Sequence, residues 1–223
     1  MAHLLFLSAP ELYAAYAGSA TRAEDMLTAV YGRGGHSASY EVCRVADEGH
    51  GPLGVLAGFP AEHGDRLARR MVALSFARMP PWRWAAARRV LRVTESLVPT
   101  PPRNAWYVDA LAVAETRRGG GVGRALLEDA EERARAAGCT SLALETQLEN
   151  GAAQRLYEAA GFTERARRTA APEVVRRIGA TGYVAYVKEL GGGAGATSRS
   201  TSPAALSTRS ATSPEDSAKR PST

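Results

Sequence analysis

A glycine-rich turn between a strand-like segment and a helix-like segment is the feature that most restricts how this chain folds. Residues 118–123 read Arg-Gly-Gly-Gly-Val-Gly. Before them, residues 106–113 (WYVDALAV) have the length and composition of a buried strand, and residues 122–137 have a strongly helical composition. Such a turn leaves backbone N–H groups free at a helix N-terminus, where the helix dipole favours an anion. We therefore expect this loop to hold a phosphate or pyrophosphate.

Glycines in such a turn also serve other purposes. A tight turn whose small residues allow close packing has the same composition, so the loop alone leaves that alternative open. The spacing is not the G-x-G-x-x-G of dinucleotide-binding folds, and no acidic residue is placed to bind a ribose. No Lys-Ser/Thr pair follows the last glycine, which excludes a Walker A loop.

Composition divides the chain of 223 residues into a folded part and a tail. Hydrophobic residues make up 45% of the chain, which is ample for a globular core. Residues 191–223 differ, because 13 of those 33 positions are Ser or Thr and Leu206 is their one aliphatic residue larger than Ala. Such a segment cannot bury enough apolar surface to offset its ordering entropy. The sequence predicts one domain over residues 1–190 and a disordered tail over residues 191–223.

The order of elements indicates an α+β fold. Hydrophobic periodicity and turn residues predict helices at 10–18, 21–31, 63–79, 82–97, 122–137 and 150–160. The same signals predict strands at 40–45, 53–59, 106–113, 141–146, 162–168 and 182–190. Residues 171–178 are consistent with either a loop or a short helix. Thr21 is the expected N-cap of its helix, with Glu24 at the capping-box position.

Charge and cysteine usage limit the partners and the compartment. Segment 61–104 contains nine arginines and three acidic residues within a chain of net charge +5, so it either attracts an anion or forms a solvated face. Without aromatic–basic interleaving, we do not expect a nucleic-acid partner. Cys43 and Cys139 lack CxxC spacing, which is typical of reduced cysteines in a cytoplasmic protein. The sequence predicts no metal site, signal peptide or membrane span.

A second motif narrows the interpretation of the glycine loop. Residues 150–162 read NGAAQRLYEAAGF, with Asn150, Ala153, Tyr157, Gly161 and Phe162 at offsets of 0, 3, 7, 11 and 12. Together with Arg118-x-x-Gly121-x-Gly123, this stretch resembles the GNAT (Gcn5-related N-acetyltransferase) superfamily. The resemblance implies an α/β sandwich with a mixed central sheet of about six to seven strands flanked by helices. Segment 61–104 would be a helical insertion between the family's third and fourth strands.

The resemblance also implies how acetyl-CoA binds. In that family the R/Q-x-x-G-x-G/A loop holds the coenzyme A pyrophosphate, here the backbone of Arg118, Gly119, Gly120, Gly121, Val122, Gly123 and Arg124. Pantetheine inserts where the strand before the loop splays from the next strand at a bulge. That implicates the backbones of Leu111, Ala112 and Val113, with the Leu111 N–H polarising the thioester carbonyl.

Tyr157 and Asn150 each have two open interpretations. Tyr157 matches the family position that commonly protonates the departing thiolate, a role that suits a phenol. It also lies on an apolar helical stripe, so the alternative is an ordinary core aromatic. Asn150 is expected either to contact the cofactor or to cap helix 150–160, and the two roles are compatible.

Asp109 is a carboxylate in an otherwise apolar strand. Strict alternation would place it on the same face as Tyr107, Leu111 and Val113. Close to the acetyl group, it would deprotonate an incoming ammonium directly or through water. The alternatives are a pairing with an arginine of segment 61–104, or binding of a cationic substrate without proton transfer. Glu145 is a second candidate base.

The resemblance implies an acetyl-CoA-dependent N-acetyltransferase that transfers the acetyl group directly to a primary amine. We expect a small-molecule acceptor and a monomer or homodimer. Aromatic residues available for the acceptor pocket are Tyr13, Tyr16, Tyr31, Trp82, Trp84 and Trp106. The alternatives are a protein or peptide acceptor (an N-terminus or a lysine), a non-catalytic acyl-CoA-binding module, and a nucleic-acid-binding protein that uses the basic segment.

Overall fold

The computed structural model describes residues 1–191 and 207–212. Its helices are α1 (Ala2–Leu7), α2 (Pro10–Ala17), α3 (Ala20–Tyr31), α4 (Gly64–Phe76), α5 (Trp84–Leu97), α6 (Val122–Ala136), α7 (Gly151–Ala159) and α8 (Pro172–Ile178). Its strands are β1 (Cys43–Asp47), β2 (Pro52–Pro60), β3 (Ala105–Val113), β4 (Ser141–Gln147), β5 (Thr163–Thr169), β6 (Gly182–Glu189) and β7 (Ser207–Ser210). Helices α4 and α5 lie within the expected insertion.

The strands form a single mixed sheet in the order β5-β6-β4-β3-β2-β1-β7. The neighbours β3 and β4 are parallel, and the other adjacent pairs are antiparallel. One face, here called the α3 face, packs against α1, α2, α3, α5 and α8. The other, the α6 face, packs against α6 and α7. The predicted sheet of six to seven strands flanked by helices is confirmed.

The parallel pair β3–β4 separates after a short ladder. Residues 105–108 pair with residues 141–144, and no pairing continues beyond Val108 and Leu144. Both strands nevertheless stay in the sheet, because β3 remains paired to β2 through Val113 and β4 to β6 through Gln147. The result is a gap between residues 109–113 of β3 and 145–147 of β4.

A β-bulge lies at the start of this gap. Ala57 of β2 pairs with Ala110 of β3, but the next residue, Gly58, pairs with Val108. Asp109 is therefore an extra residue on β3. A bulge of this kind bends its strand and changes the phase of the side-chain alternation beyond it.

The bulge corrects the expected position of Asp109. Leu111 and Val113 pack into the apolar cluster of the α6 face, whereas Ala110 belongs to the cluster of the α3 face. Asp109 lies on the α3 face, close enough to Tyr13 to affect its pKa. The prediction that Asp109 shares a face with Leu111 and Val113 was wrong, because strict alternation assumes an unbroken ladder.

Four residues of the predicted tail form a strand. Ser207–Ser210 forms β7, which pairs with β1 at the edge of the sheet. Its side chains are held as well: Arg209 lies 2.8 Å from Asp47, and the Thr208 hydroxyl donates to Asp129 of α6 at 2.9 Å. Asp129 also accepts two hydrogen bonds from Arg44. The other tail residues, 192–206 and 213–223, lie outside the described residues.

The N-terminal region differs from the prediction in two details. Residues Ala2–Leu7 form α1, which packs three buried side chains on the α3 face and was not predicted. Helix α3 begins at Ala20 rather than after Thr21, because the Ser19 hydroxyl caps it by accepting the Arg22 N–H at 3.2 Å. In the part of the chain that the structure describes, no helix has the length and apolarity needed to cross a membrane.

Candidate active site

The glycine loop connects β3 to α6 in a conformation that glycine favours. Gly119 and Gly121 have φ angles of 78° and 81°, and Gly121 is the N-cap of α6. A Cβ atom at either position would meet nothing within 4 Å, so the local backbone rather than packing accounts for these glycines. Gly123 differs, since its Cβ would lie 2.9 Å from Leu156 Cδ2, and it allows α6 to approach α7 closely.

The loop presents unpaired backbone donors. No acceptor within residues 1–191 or 207–212 is recorded for the N–H groups of Gly119, Gly121, Val122, Gly123 and Arg124. The Arg118 guanidinium stands beside them, 58% exposed, with Nε 3.4 Å from the Val113 carbonyl oxygen. Free N–H groups, a helix N-terminus and a neighbouring guanidinium together form a site for an anion.

Two carboxylates flank the gap between β3 and β4 at its closed end. Asp109 and Glu145 each directly follow the last residue of their strand in the β3–β4 ladder. The Tyr107 hydroxyl donates a hydrogen bond to Glu145 Oε1, and the Tyr107 ring packs on Phe59 with centroids 5.8 Å apart. No ion pair between either carboxylate and a cationic side chain is recorded in the described ranges.

Burial changes the acidity of both carboxylates. Asp109 is in contact with solvent, yet the protein atoms around it raise its pKa to about 6. A hydrogen bond with the Ser37 hydroxyl partly offsets this effect, because it lowers the pKa. Asp109 therefore forms the wall of a cleft that is open on one side. Burial raises the pKa of Glu145 to about 8. The hydrogen bond from Tyr107 lowers this pKa, and the charge of Asp109 raises it.

Comparison with known proteins identifies the fold. Residues 14–162 match the family described as "Acetyltransferase (GNAT) family". The chain belongs to the GNAT family. The N-acetyltransferase structure from Staphylococcus aureus Mu50 superposes with a TM-score of 0.60 at 14% identity, covering 83% of this chain and 92% of that one. At that identity the similarity concerns the fold.

Two curated GNAT relatives match over short segments. N-alpha-acetyltransferase 30 of Saccharomyces cerevisiae (strain ATCC 204508 / S288c) is 43% identical over 56 residues, which are 25% of this chain and 32% of that protein. Aminoglycoside N(6')-acetyltransferase type 1 of Klebsiella aerogenes is 44% identical over 61 residues, 27% of this chain and 40% of that protein. The match thus spans between a third and two fifths of these relatives.

Tyr157, the GNAT candidate acid, lies on α7 and is 5% exposed. Its ring packs against Phe162 and Tyr186, with centroids 6.0 and 5.8 Å away. It is therefore a core aromatic. Its hydroxyl has no recorded hydrogen bond among the described residues, and burial followed by the charge of Glu145 raises its pKa. Tyr157 is thus protonated at neutral pH, as an acid must be.

The remaining predicted GNAT residues lie along the loop and the gap. Leu111, Ala112 and Val113 border the gap on the side of β3 away from β2, where no strand pairs with them. Asn150 caps α7 by accepting the Ala153 N–H at 3.1 Å. That cap uses the side-chain oxygen of Asn150 and leaves its NH₂ group available.

The expected aromatic pocket forms only in part. Tyr13 lies near Asp109, but Tyr16 and Tyr31 belong to the core of the α3 face and Trp106 to that of the α6 face. Trp82 is 78% exposed, and Trp84 packs on Phe76. Ser37 and Tyr107 are the cleft residues that sequence analysis did not propose. No pattern in the irregular segment around Ser37 could have identified it.

Proposed function

We propose that this chain transfers the acetyl group of acetyl-CoA to a primary amine of a small molecule. The observation that carries the proposal is the position of the gap. It opens between a loop whose N–H groups have no recorded acceptor, and two carboxylates that have no recorded cationic partner, among the described residues. The loop suits an anionic thioester donor, and the carboxylates suit an ammonium acceptor.

The loop of residues 118–124 would bind the pyrophosphate of acetyl-CoA. Pantetheine would lie along the unpaired edge at Leu111–Val113, and the Leu111 N–H would hydrogen-bond the thioester carbonyl oxygen. A donor in this position stabilises the negative charge that develops on the oxygen during attack. The fit rests on backbone donors at both places for which the described part of the chain records no acceptor.

The carboxylates and Tyr157 would move the protons. Asp109 takes a proton from the acceptor ammonium, and the neutral amine nitrogen attacks the thioester carbon. The new C–N bond forms as the C–S bond breaks, and the leaving sulfur receives the Tyr157 hydroxyl proton. The excess proton of the nitrogen passes through solvent water to the Tyr157 phenolate, and Asp109 later releases its proton to solvent. Asp109 suits the first step because its pKa, about 6, leaves it ionised at neutral pH yet basic enough to accept a proton.

The side chains around the gap favour a small amine over a peptide as the acceptor. Tyr13 and Tyr107 stand beside Asp109 and Glu145, a combination of aromatic rings and carboxylates that suits a compact cation. Cys43 and Cys139 are free thiols, which supports a cytoplasmic location.

An acceptor screen with thiol-release detection tests the proposal. Small amines should give acetyl-CoA-dependent thiol release that Asp109→Asn reduces strongly. Release with peptide N-termini or lysines alone would assign the acceptor to proteins instead. Acetyl-CoA binding without turnover on any amine would identify a non-catalytic module and refute the proposal.

A further inference from the structure

A basic groove lies far from the glycine loop, at the other end of β3. It is open, has a volume of about 1010 Å³ and runs between α4, the first residues of β3 and the end of α6. Trp106 lines it, whereas the glycine loop follows Val113, seven residues further along the strand. At the rise of a β-strand this separation is roughly 23 Å. The groove is therefore distinct from the proposed acetyl-CoA site.

Guanidinium groups form two walls of the groove. Arg66, Arg69 and Arg70 come from neighbouring positions on α4, and Arg133 comes from α6. No ion pair is recorded for any of the four within the described residues. The single carboxylate in the lining, Glu41, already accepts the Gly35 N–H at 2.6 Å. The groove thus has a marked excess of positive charge.

Trp106 supplies a second, independent observation. Its side chain is 6% exposed, and its Nε1 is buried without a hydrogen-bond acceptor in the described part of the chain. This nitrogen faces Gly58, where a Cβ would lie only 2.5 Å from it, and both residues line the groove. The ring also lies beneath the Arg133 guanidinium, whose carbon is 5.5 Å from the ring centroid, so Trp106 helps to hold that guanidinium at the groove.

The lining indicates which kind of anion fits. Val42, Pro60 and Ala73 add accessible apolar surface beside the guanidinium groups. Guanidinium forks match carboxylates in bidentate geometry. The rings of Phe59 and Trp106 are 4% and 6% exposed, so they offer no face on which nucleic-acid bases could stack. The volume of about 1010 Å³ exceeds what one small anion fills, which points to a chain carrying several carboxylates.

We propose that this groove binds an acidic peptide segment of a partner protein. Its carboxylates pair with Arg66, Arg69 and Arg133. Apolar side chains of the segment lie against Pro60 and Ala73. The proposal is independent of the acetyl-transfer reaction.

Fluorescence anisotropy with the full chain tests it, with a short labelled peptide of alternating Glu and Leu as probe. A peptide with Gln in place of each Glu is the matched control. The acidic peptide should bind at least tenfold more tightly than the Gln peptide. Arg66→Gln/Arg69→Gln should weaken binding about tenfold and leave the KM for acetyl-CoA unchanged. Arg89→Gln/Arg165→Gln removes the same charge from exposed positions outside the groove and should have little effect.

Three results would overturn the proposal. Equal binding of the two peptides would show that carboxylates are not recognised. Equal losses of peptide affinity in the two double variants would show that binding depends only on the net charge of the protein. Tighter binding of a thymidine oligonucleotide of the same charge would assign the groove to nucleic acid.

Discussion

The Tyr107 hydroxyl donates a hydrogen bond to Glu145 Oε1 across the closed end of the gap, from one residue before the last pair of the β3–β4 ladder to one residue after it. The bond connects two parallel strands at the level where their backbones stop pairing. It also holds in place a carboxylate whose pKa is raised by burial and, to a lesser extent, by the charge of Asp109.

The pH dependence of kcat/KM should distinguish the two carboxylates. With Asp109 as base, activity should rise with pH through about 6, because the group must be ionised to accept a proton. Asp109→Asn should abolish that rise and lower kcat by about a hundredfold. A rise centred near 8 in the wild type would assign the base to Glu145 instead.

Tyr107→Phe separates the roles further. The substitution removes a hydrogen bond that favours ionised Glu145, so the pKa of Glu145 should move further above its ordinary value. A pH profile that remains centred near 6 in this variant would support Asp109 as base. A profile that moves upward with the substitution would contradict that assignment.

Tyr157→Phe should lower kcat by about a hundredfold with little change in the KM for acetyl-CoA. The ring contacts with Phe162 and Tyr186 remain in the variant, so the free energy of unfolding should change by less than about 1 kcal/mol. Tyr186→Phe in the same aromatic cluster is the control, and its kcat should stay near that of the wild type. Full activity of Tyr157→Phe across the pH range would rule out the acid role.

Gly121→Ala should raise the KM for acetyl-CoA several-fold and reduce stability by about 1 kcal/mol, since alanine is strained at a φ of 81°. Gly138→Ala is a matched control, because Gly138 has a φ of 74°, follows the other end of α6 and also has nothing within 4 Å of its Cβ position. Thermal melting should show similar destabilisation in both variants. Steady-state kinetics should show the higher KM for acetyl-CoA in Gly121→Ala alone. An equal rise in the KM for acetyl-CoA in both variants would contradict binding of acetyl-CoA by the loop.

Asp129→Asn should reduce the free energy of unfolding by about 1–3 kcal/mol, because Asp129 accepts from both Arg44 and Thr208 and links α6, β1 and β7. Glu132→Gln, an exposed change on the same helix, should be close to neutral. Urea unfolding measures both. Indistinguishable midpoints would show that β7 adds little to the stability of the sheet.

Sequence reasoning succeeded where local pattern and tertiary structure agree. The turn at 118–123 and the helix that follows it are local features, and both lie where their residues predicted them. The bulge at Asp109 was not predictable in this way, because it depends on the pairing of β3 with Gly58 and Ala57 of another strand. Alternation along β3 alone therefore gave the wrong face for Leu111.

Two other differences have the same origin. β7 has a composition typical of disorder and becomes a strand by pairing with the exposed edge of β1. Ser37 enters the cleft through an irregular segment between α3 and β1, where no periodicity applies. Each depends on contacts between residues distant in the chain, which composition and spacing do not encode.

The short ladder between β3 and β4 has a mechanical consequence. It divides the molecule into two half-sheets, β7-β1-β2-β3 and β4-β6-β5, whose common seam is only four residue pairs long. Because so few backbone bonds join the halves, we expect slow opening motions to begin along this seam. A pantetheine chain bound between β3 and β4 would contact both strands and hold the two half-sheets together. Donor binding would then suppress the opening and slow amide hydrogen exchange in β3 and β4, far beyond the residues that the donor touches.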